Sequence, residues 1–260
     1  GVDKTINCTT TSTTIGVAPI IGNSYSWSPA TGLSNATIAN PIATPTTTTT
    51  YTLTVTNNVN GCTATDVVVV TVNTLAPIAD AGLDLNLTCN TTSGTIGTSA
   101  TVGNTYSWSP SLGLSANNVS DPTASPALST TYTVTVTNTA NGCTSTDVVV
   151  VNVNTLAPVA DAGADKILNC TTTSTTIGVA AVVGNTYSWS PATGLSNSTV
   201  SNPTATPTVT TSYTVTVTNT ANGCTATDVV VVNVNTLAPN ANAGVDKTIN
   251  CTTTSTTIGV

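Results

Sequence analysis

Histidine, arginine, methionine, phenylalanine, glutamine and glutamate are all missing from these 260 residues. Without an imidazole there is no histidine base, proton shuttle or metal ligand. Without arginine, and with lysine only at Lys4, Lys166 and Lys247, there is no basic surface to neutralise phosphates, so no nucleic-acid partner is expected. Charged residues make up 5% of the chain and the formal net charge is −7, spread too thinly to mark an acidic functional surface. No uninterrupted apolar run is long enough for a membrane helix, so no membrane insertion is expected of this stretch. What remains is rich in threonine and β-branched residues, with 39% hydrophobic positions. That composition suits packed β-structure and does not suit disorder.

The cysteines fall into two series. Cys8, Cys89, Cys170 and Cys251 are spaced by 81 residues, and so are Cys62, Cys143 and Cys224. Trp27, Trp108 and Trp189 keep the same interval, as do Tyr51, Tyr132 and Tyr213. No insertion or deletion breaks this register, so the chain is a tandem array of one 81-residue unit. The expected divisions are 1–76 (a first repeat lacking its first few residues), 77–157, 158–238, and 239–260 as the start of a fourth. Gly244 to Val260 repeats Gly1 to Val17 letter for letter, which is expected of a window on a longer array.

Each unit reads as strands and turns. Tyr132, Val134 and Val136 alternate with threonines, the period of a strand with one buried face. Asn141-Gly142 follows, the preferred pair for a two-residue type I′ hairpin, and Thr144 to Val153 returns. Tyr106 and Trp108 share a face of another strand, and short segments around Ile96 and Val119 supply more. Pro122 and Pro126 confine their region to an edge or loop. About seven short strands in some 80 residues indicate a β-sandwich. Trp27, Trp108 and Trp189 are its expected core residues, with Tyr51, Tyr132 and Tyr213 placed as tyrosine corners. In Val148-Val149-Val150-Val151 both faces are apolar. The plain explanation is ordinary surface exposure; the alternative is lateral packing on a neighbouring domain, chain or glycan.

Ala79-Asp80-Ala81-Gly82, Tyr106-Ser107-Trp108-Ser109-Pro110, the Tyr132–Thr137 strand and Asn141-Gly142-Cys143 together resemble PKD-type and related immunoglobulin-like repeats. Such repeats fill giant surface proteins of gliding and filamentous Bacteroidota, including gliding adhesins. The resemblance implies an all-β tandem array of immunoglobulin-like sandwiches, forming a rod or filament at a cell surface. It implies structural motifs, not a ligand site.

Seven cysteines in a charge-poor β-array favour an oxidising, extracellular setting. Three translationally repeated pairings are possible. Joining Cys62 to Cys89 would span nearly two domains and is discarded. An intradomain scheme joins Cys8 to Cys62, Cys89 to Cys143 and Cys170 to Cys224. An interdomain scheme joins Cys8 to Cys143 and Cys89 to Cys224. The twelve residues from Pro77 to Cys89, if extended, travel about 35–40 Å, the length of a sandwich. That carries Cys89 to the far pole, beside the next domain's hairpin, and geometry therefore prefers the interdomain scheme while the intradomain one stays open. The short, proline-ending connector Asn73–Pro77 also points to stiffness.

The recurrent acids Asp3, Asp84, Asp165 and Asp246, Asp66, Asp147 and Asp228, and the pair Asp80 and Asp161 raise a weak case for Ca²⁺ at the junctions. Hydrogen bonding in turns and at strand edges is the plainer expectation, and no cofactor is expected. No Gly-x-Ser-x-Gly elbow occurs, and acids repeated in every unit do not describe a single active site, so no enzyme is expected. Asn-x-Ser/Thr sequons begin at Asn7, Asn35, Asn86, Asn90, Asn118, Asn169, Asn197 and Asn250, a number that an Asn- and Thr-rich chain produces by chance. The sequence thus leads to a disulfide-reinforced extracellular spacer whose partners are neighbouring repeats. Two alternatives remain: an adhesin that binds glycans or surfaces through loops around Gly113 or Gly194, and subunits polymerising by strand exchange.

Overall fold

In a computed structural model, residues 1–259 are described, and they contain strands and turns with no helix. Eighteen strands recur as three sets of six. The first set is β1 (Lys4–Asn7), β2 (Thr13–Thr14), β3 (Asn23–Ser28), β4 (Ile42–Ala43), β5 (Thr49–Asn57) and β6 (Thr63–Asn73). The second is β7 (Leu85–Thr88), β8 (Gly94–Thr95), β9 (Asn104–Ser109), β10 (Thr123–Ala124), β11 (Thr130–Asn138) and β12 (Thr144–Asn154). The third is β13 (Lys166–Asn169), β14 (Thr175–Thr176), β15 (Asn185–Ser190), β16 (Thr204–Ala205), β17 (Thr211–Asn219) and β18 (Thr225–Asn235). Each set forms a four-stranded sheet, ordered β1-β6-β5-β3 in the first, facing a two-stranded one, β2-β4. These are tandem immunoglobulin-like β-sandwiches.

Six strands form per repeat where about seven were expected. The segment around Val119 is not a strand; pairing falls instead on Thr123–Ala124, which lies antiparallel to Gly94–Thr95. The prolines at 122 and 126 bracket those two residues and keep the strand short.

Two compact units are distinguished. Gly1–Leu87 with Thr91–Asn154 forms one, and Thr88–Asn90 with the chain from Thr155 onward forms the other. In the first, one core gathers Ile6, Ile15, Trp27, Tyr51, Val68 and Val70. The next gathers Leu87, Ile96, Trp108, Tyr132, Val149 and Val151. In the second unit the equivalent cluster holds Leu168, Ile177, Trp189, Tyr213, Val230 and Val232. Burying a large apolar side chain stabilises the fold by about 1.5–3 kcal/mol, so the aromatic pair and β-branched residues supply most of each core. The tryptophans also satisfy their one donor: Trp108 Nε1 donates to Val119 O at 2.9 Å. Tyr132 Oη donates to Leu112 O at 2.7 Å, the bond of a tyrosine corner, with the same bond at Tyr51 and Tyr213. Burial raises the pKa of all three phenols above the ordinary tyrosine value.

The first strand of each set fixes where a cysteine emerges. β1 runs parallel to β6, pairing Lys4 with Val70 and Asn7 with Asn73. β13 pairs with β18 in the same way, Asn169 opposite Asn235. A parallel edge strand ends where its partner ends, so Cys8 and Cys170 emerge at the pole from which the chain leaves for the next repeat. Lys247–Asn250 has the sequence of β1 but forms no strand, and residues 239–259 contain none. Identical residues are a strand where β6 is present to pair with them and are not where no such partner lies beside them.

Candidate functional site: the cystine joints

The structure brings together Cys8 with Cys143 and Cys89 with Cys224. Their Cα atoms lie 5.0 and 5.1 Å apart, within the range a relaxed bridge requires. Each bond closes 135 residues. None of the intradomain pairs is bonded; Cys62, Cys170 and Cys251 are free and exposed. The physical reason lies in the strand order: within one repeat the parallel first strand delivers its cysteine to one pole, while the cysteine after the β5–β6 or β11–β12 turn sits at the other.

That turn differs from the expected two-residue type I′ hairpin. β11 ends at Asn138 and β12 begins at Thr144. Asn138 N donates to Cys143 O at 2.9 Å and Gly142 N donates to Asn138 O at 2.8 Å, which encloses four residues, Thr139 to Gly142. A type I′ turn needs positive φ at both central residues, and only Gly142 has it, at 68°. Asn141 is thereby released from turn duty, and its amide does something the sequence did not disclose.

Asn141 is 2% exposed. Its Nδ2 donates to Asn73 Oδ1 at 3.0 Å and to Leu75 O at 2.9 Å, while its Oδ1 accepts Cys143 N–H at 3.0 Å. One side chain thus grips the connector of the preceding repeat and shapes the loop that carries the bridging cysteine. Ser145 Oγ adds a bond to Pro77 O at 2.6 Å. In the second unit Asn222 Nδ2 donates to Leu156 O at 2.9 Å, and Cys89 N donates to Asn222 O at 3.2 Å. Gly142 is required twice over, by its φ and because a Cβ there would overlap Thr9 Cγ2. Gly223 is hemmed in likewise by the Asn90 amide. The signal that could have found this role is the recurrence of Asn-Gly-Cys as a block, with asparagine held constant where a turn alone would tolerate aspartate or glycine.

Cys143 and Cys224 are each 1% exposed, whereas Cys8 and Cys89 lie on the surface. Two of the unbonded cysteines, Cys62 and Cys170, each keep one local contact of their bonded copies. Asn57 N donates to Cys62 O at 2.9 Å, as Asn138 and Asn219 do in the bonded copies. Cys170 Sγ lies 3.7 Å from Thr236 O, and the bonded Cys89 Sγ lies 3.8 Å from Thr155 O.

No protein-family model matches this chain, and no curated protein is similar to it. Solved structures with a likeness include titin domains I67–I69, at 11% identity over 90% of this chain and 96% of that one, with a TM-score of 0.40. Sidekick-1 immunoglobulin domains 1–5 match at 12% identity with a TM-score of 0.34, over 90% of this chain. The match spans 57% of that Sidekick-1 fragment. Extracellular domains 3–5 of Drosophila OTK match at 11% identity over 91% of this chain and 95% of theirs, with a TM-score of 0.34. These likenesses concern the type of fold.

The recurrent acids serve the backbone. Asp84 Oδ1 accepts Val150 N–H at 2.9 Å and Asp165 Oδ1 accepts Val231 N–H at 2.8 Å. Asp147 Oδ2 accepts Ala81 N–H at 2.8 Å, and Asp228 Oδ2 accepts Ala162 N–H at 2.7 Å. Those N–H groups, followed by the amides of Val148 and Val229, hold both carboxyls below the usual aspartate value. Asp80 and Asp161 close turns onto Gly82 and Gly163. Asp3 accepts Val69 N–H, and Asp66 pairs with the N-terminal ammonium. Of the valine run, Val149 and Val151 are fully buried, and Val148 is 56% exposed on the outer face. A concavity of about 470 Å³ lies beside Gly113 and is lined by Pro110, Leu112, Pro126 and Leu128.

Proposed function

We propose that this chain is a structural repeat region of an extracellular filament or surface stalk: a stiff, disulfide-reinforced spacer without enzymatic activity. The observation that carries this reading is the pair of bridges whose partners lie 135 residues apart, longer than one repeat, so that each bond reinforces a joint and leaves the interior of a sandwich alone. Such bonds persist in an oxidising compartment, which supports export. The amide of Asn141 and the short connector act in the same direction, tying the β11–β12 loop of one sandwich to the chain that leaves the preceding one. With repeat limits at Pro77 and Pro158, one bridge falls at each of these two connectors. The resemblance to surface repeats of Bacteroidota supplies a source and a setting, a cell surface on which the array holds a terminal module at a distance.

The test is made on intact cells of the source organism. Antibody against the repeats should label the surface. Non-reducing peptide mapping of the shed protein should recover Cys8 joined to Cys143 and Cys89 joined to Cys224. Labelling confined to permeabilised cells, with every cysteine alkylated as a free thiol, would overturn the reading.

A second reading, direct binding by the repeats, has one observation in its favour. The concavity of the second repeat is apolar, with Leu112 84% exposed, where the first repeat has threonines at 31, 46 and 47. Retention on polysaccharide or a hydrophobic surface that is abolished by Leu112→Thr with Leu128→Thr would favour it; indifference to both substitutions would remove it.

A further inference from the structure

The order of the bridges along the chain has a mechanical consequence beyond holding adjacent repeats together. We propose that they convert the array into a covalent ladder with two load-bearing rails, so that it lengthens little even when every sandwich unfolds. The proposal rests on the spacer reading and specifies how that spacer bears tension.

The loop closed by Cys8 and Cys143 overlaps the loop closed by Cys89 and Cys224 throughout residues 89–143. Tension entering at Cys8 crosses to Cys143 and follows β12, the connector and β13 to Cys170. A second route starts at Cys62, follows the connector and β7 to Cys89, crosses to Cys224 and follows β18 towards Cys251. The two routes share no residue. In an array whose bridges continue in register, the segments between them, such as Cys89 to Cys143, contain the tryptophan and tyrosine strands and act as rungs, outside the line of force. With two bridges alone, the segment from Cys89 to Cys143 itself joins the two routes.

The lengths decide what this accomplishes. From Cys143 to Cys170 is 27 residues, and in an array that keeps the register one such segment serves two repeats. A fully extended rail therefore spans at most about 100 Å per two repeats, where an unbridged chain of the same 162 residues would reach roughly 580 Å. Two folded sandwiches laid end to end, at about 40 Å each, would already span about 80 Å. The intradomain pairing would spend 27 residues on every repeat and let the array more than double in length. Of the two schemes, the pairing observed is the one that makes unfolding nearly silent in extension. Two of the free positions fit a continuing ladder: Cys170 stands beside Thr236 O as Cys89 does beside Thr155 O, and the loop of Cys62 keeps the internal backbone bonds of its bonded copies.

Single-molecule force extension on the intact chain, tethered before Gly1 and after Val260, tests the ladder. The shortest covalent route runs from Gly1 to Cys8, across to Cys143, back to Cys89, across to Cys224 and on to the end, a contour of about 350 Å. Adding dithiothreitol should lengthen the fully unfolded chain to about 930 Å, a 2.7-fold change. Cys170→Ser, which removes an unbonded thiol, should leave the oxidised contour at about 350 Å, and Cys143→Ser should raise it to about 450 Å. Lengthening of the Cys170→Ser chain to about 540 Å would indicate intradomain bridges and overturn the ladder, as would a contour of about 930 Å without reductant. Either result is distinguishable from a failure of export, which surface labelling of intact cells tests separately.

Discussion

Asn141 shows how one amide can decide a joint. Buried at 2% exposure, it uses both Nδ2 hydrogens and its Oδ1 on three separate backbone or side-chain partners. Asn60, the same residue in the first repeat, is exposed and retains only the bond from Cys62 N–H to its Oδ1, at 3.0 Å. The chain therefore carries its own control. Asn141→Ala removes two donors from partners on the connector and should cost about 1–3 kcal/mol, whereas Asn60→Ala, in water, should cost about 0.5 kcal/mol or less. Chemical denaturation of the two variants beside the parent chain checks the difference; equal losses would mean that the loop's internal bond, common to both, is what matters. Serine would not substitute for Asn141, because a hydroxyl has one hydrogen and cannot reach Asn73 and Leu75 together.

Among the elements, the short parallel edge strand depends most on its surroundings. Lys4–Asn7 pairs with β6, while the identical Lys247–Asn250 forms no strand, so sequence preference alone does not make it. Aspartates fasten the approach to this strand: Asp147 holds Ala81 N–H, and Asp228 holds Ala162 N–H. Because both carboxyls titrate lower folded than unfolded, their contribution is fully present above the ordinary aspartate value of 3.8 and is lost as pH falls through the lowered folded value. The buried phenols act at the other end: their folded values are raised, so their contribution holds below pH 10 and is lost as pH rises through the folded value. A melting profile against pH should show a plateau with both limbs, and Asp147→Asn with Asp228→Asn should flatten the acid limb alone. An unchanged acid limb would place the sensitivity in other carboxyls.

At this scale the sequence is legible wherever periodicity governs. The alternation in Tyr132–Thr137 marks β11, the expected return strand lies within a residue of Thr144–Asn154, and Trp108 and Tyr132 are buried. The parallel pairing of β1 with β6 is not legible, because register between segments more than 60 residues apart leaves no local pattern. The turn departs from expectation because Asn-Gly favours type I′ only when the loop holds two residues, and here Thr139 and Ala140 are included as well. The preferred cystine pairing comes from a travel distance: an extended segment from Pro77 to Cys89 must end at the opposite pole. The extra hold of Asn141 needs coordinates, since nothing in an Asn-Gly pair says which side chain faces the neighbour.

For the molecule as a whole, the balance between small cores and long cystine loops sets the response to reduction. A sandwich of about 80 residues buries a modest core, and closing a 135-residue loop stabilises by about 5 kcal/mol on the chain-entropy model. The two loops overlap, so opening one frees part of the chain that the other still constrains, and the losses should not add. Cys8 and Cys89 are exposed while their partners are buried, so each bridge has one sulfur open to attack. Dithiothreitol should therefore lower the melting temperature of the parent chain without first unfolding it. Cys143→Ser should lower it under oxidising conditions, by less than full reduction does, and Cys62→Ser should leave it unchanged because that thiol is free and exposed. Calorimetry of the three proteins with and without reductant separates the contributions. A melting temperature indifferent to dithiothreitol would mean that the sandwiches stand on their cores alone and that the bridges serve tension rather than folding. A fall in the Cys62→Ser chain matching that of Cys143→Ser would instead mean that Cys62 is bonded in solution.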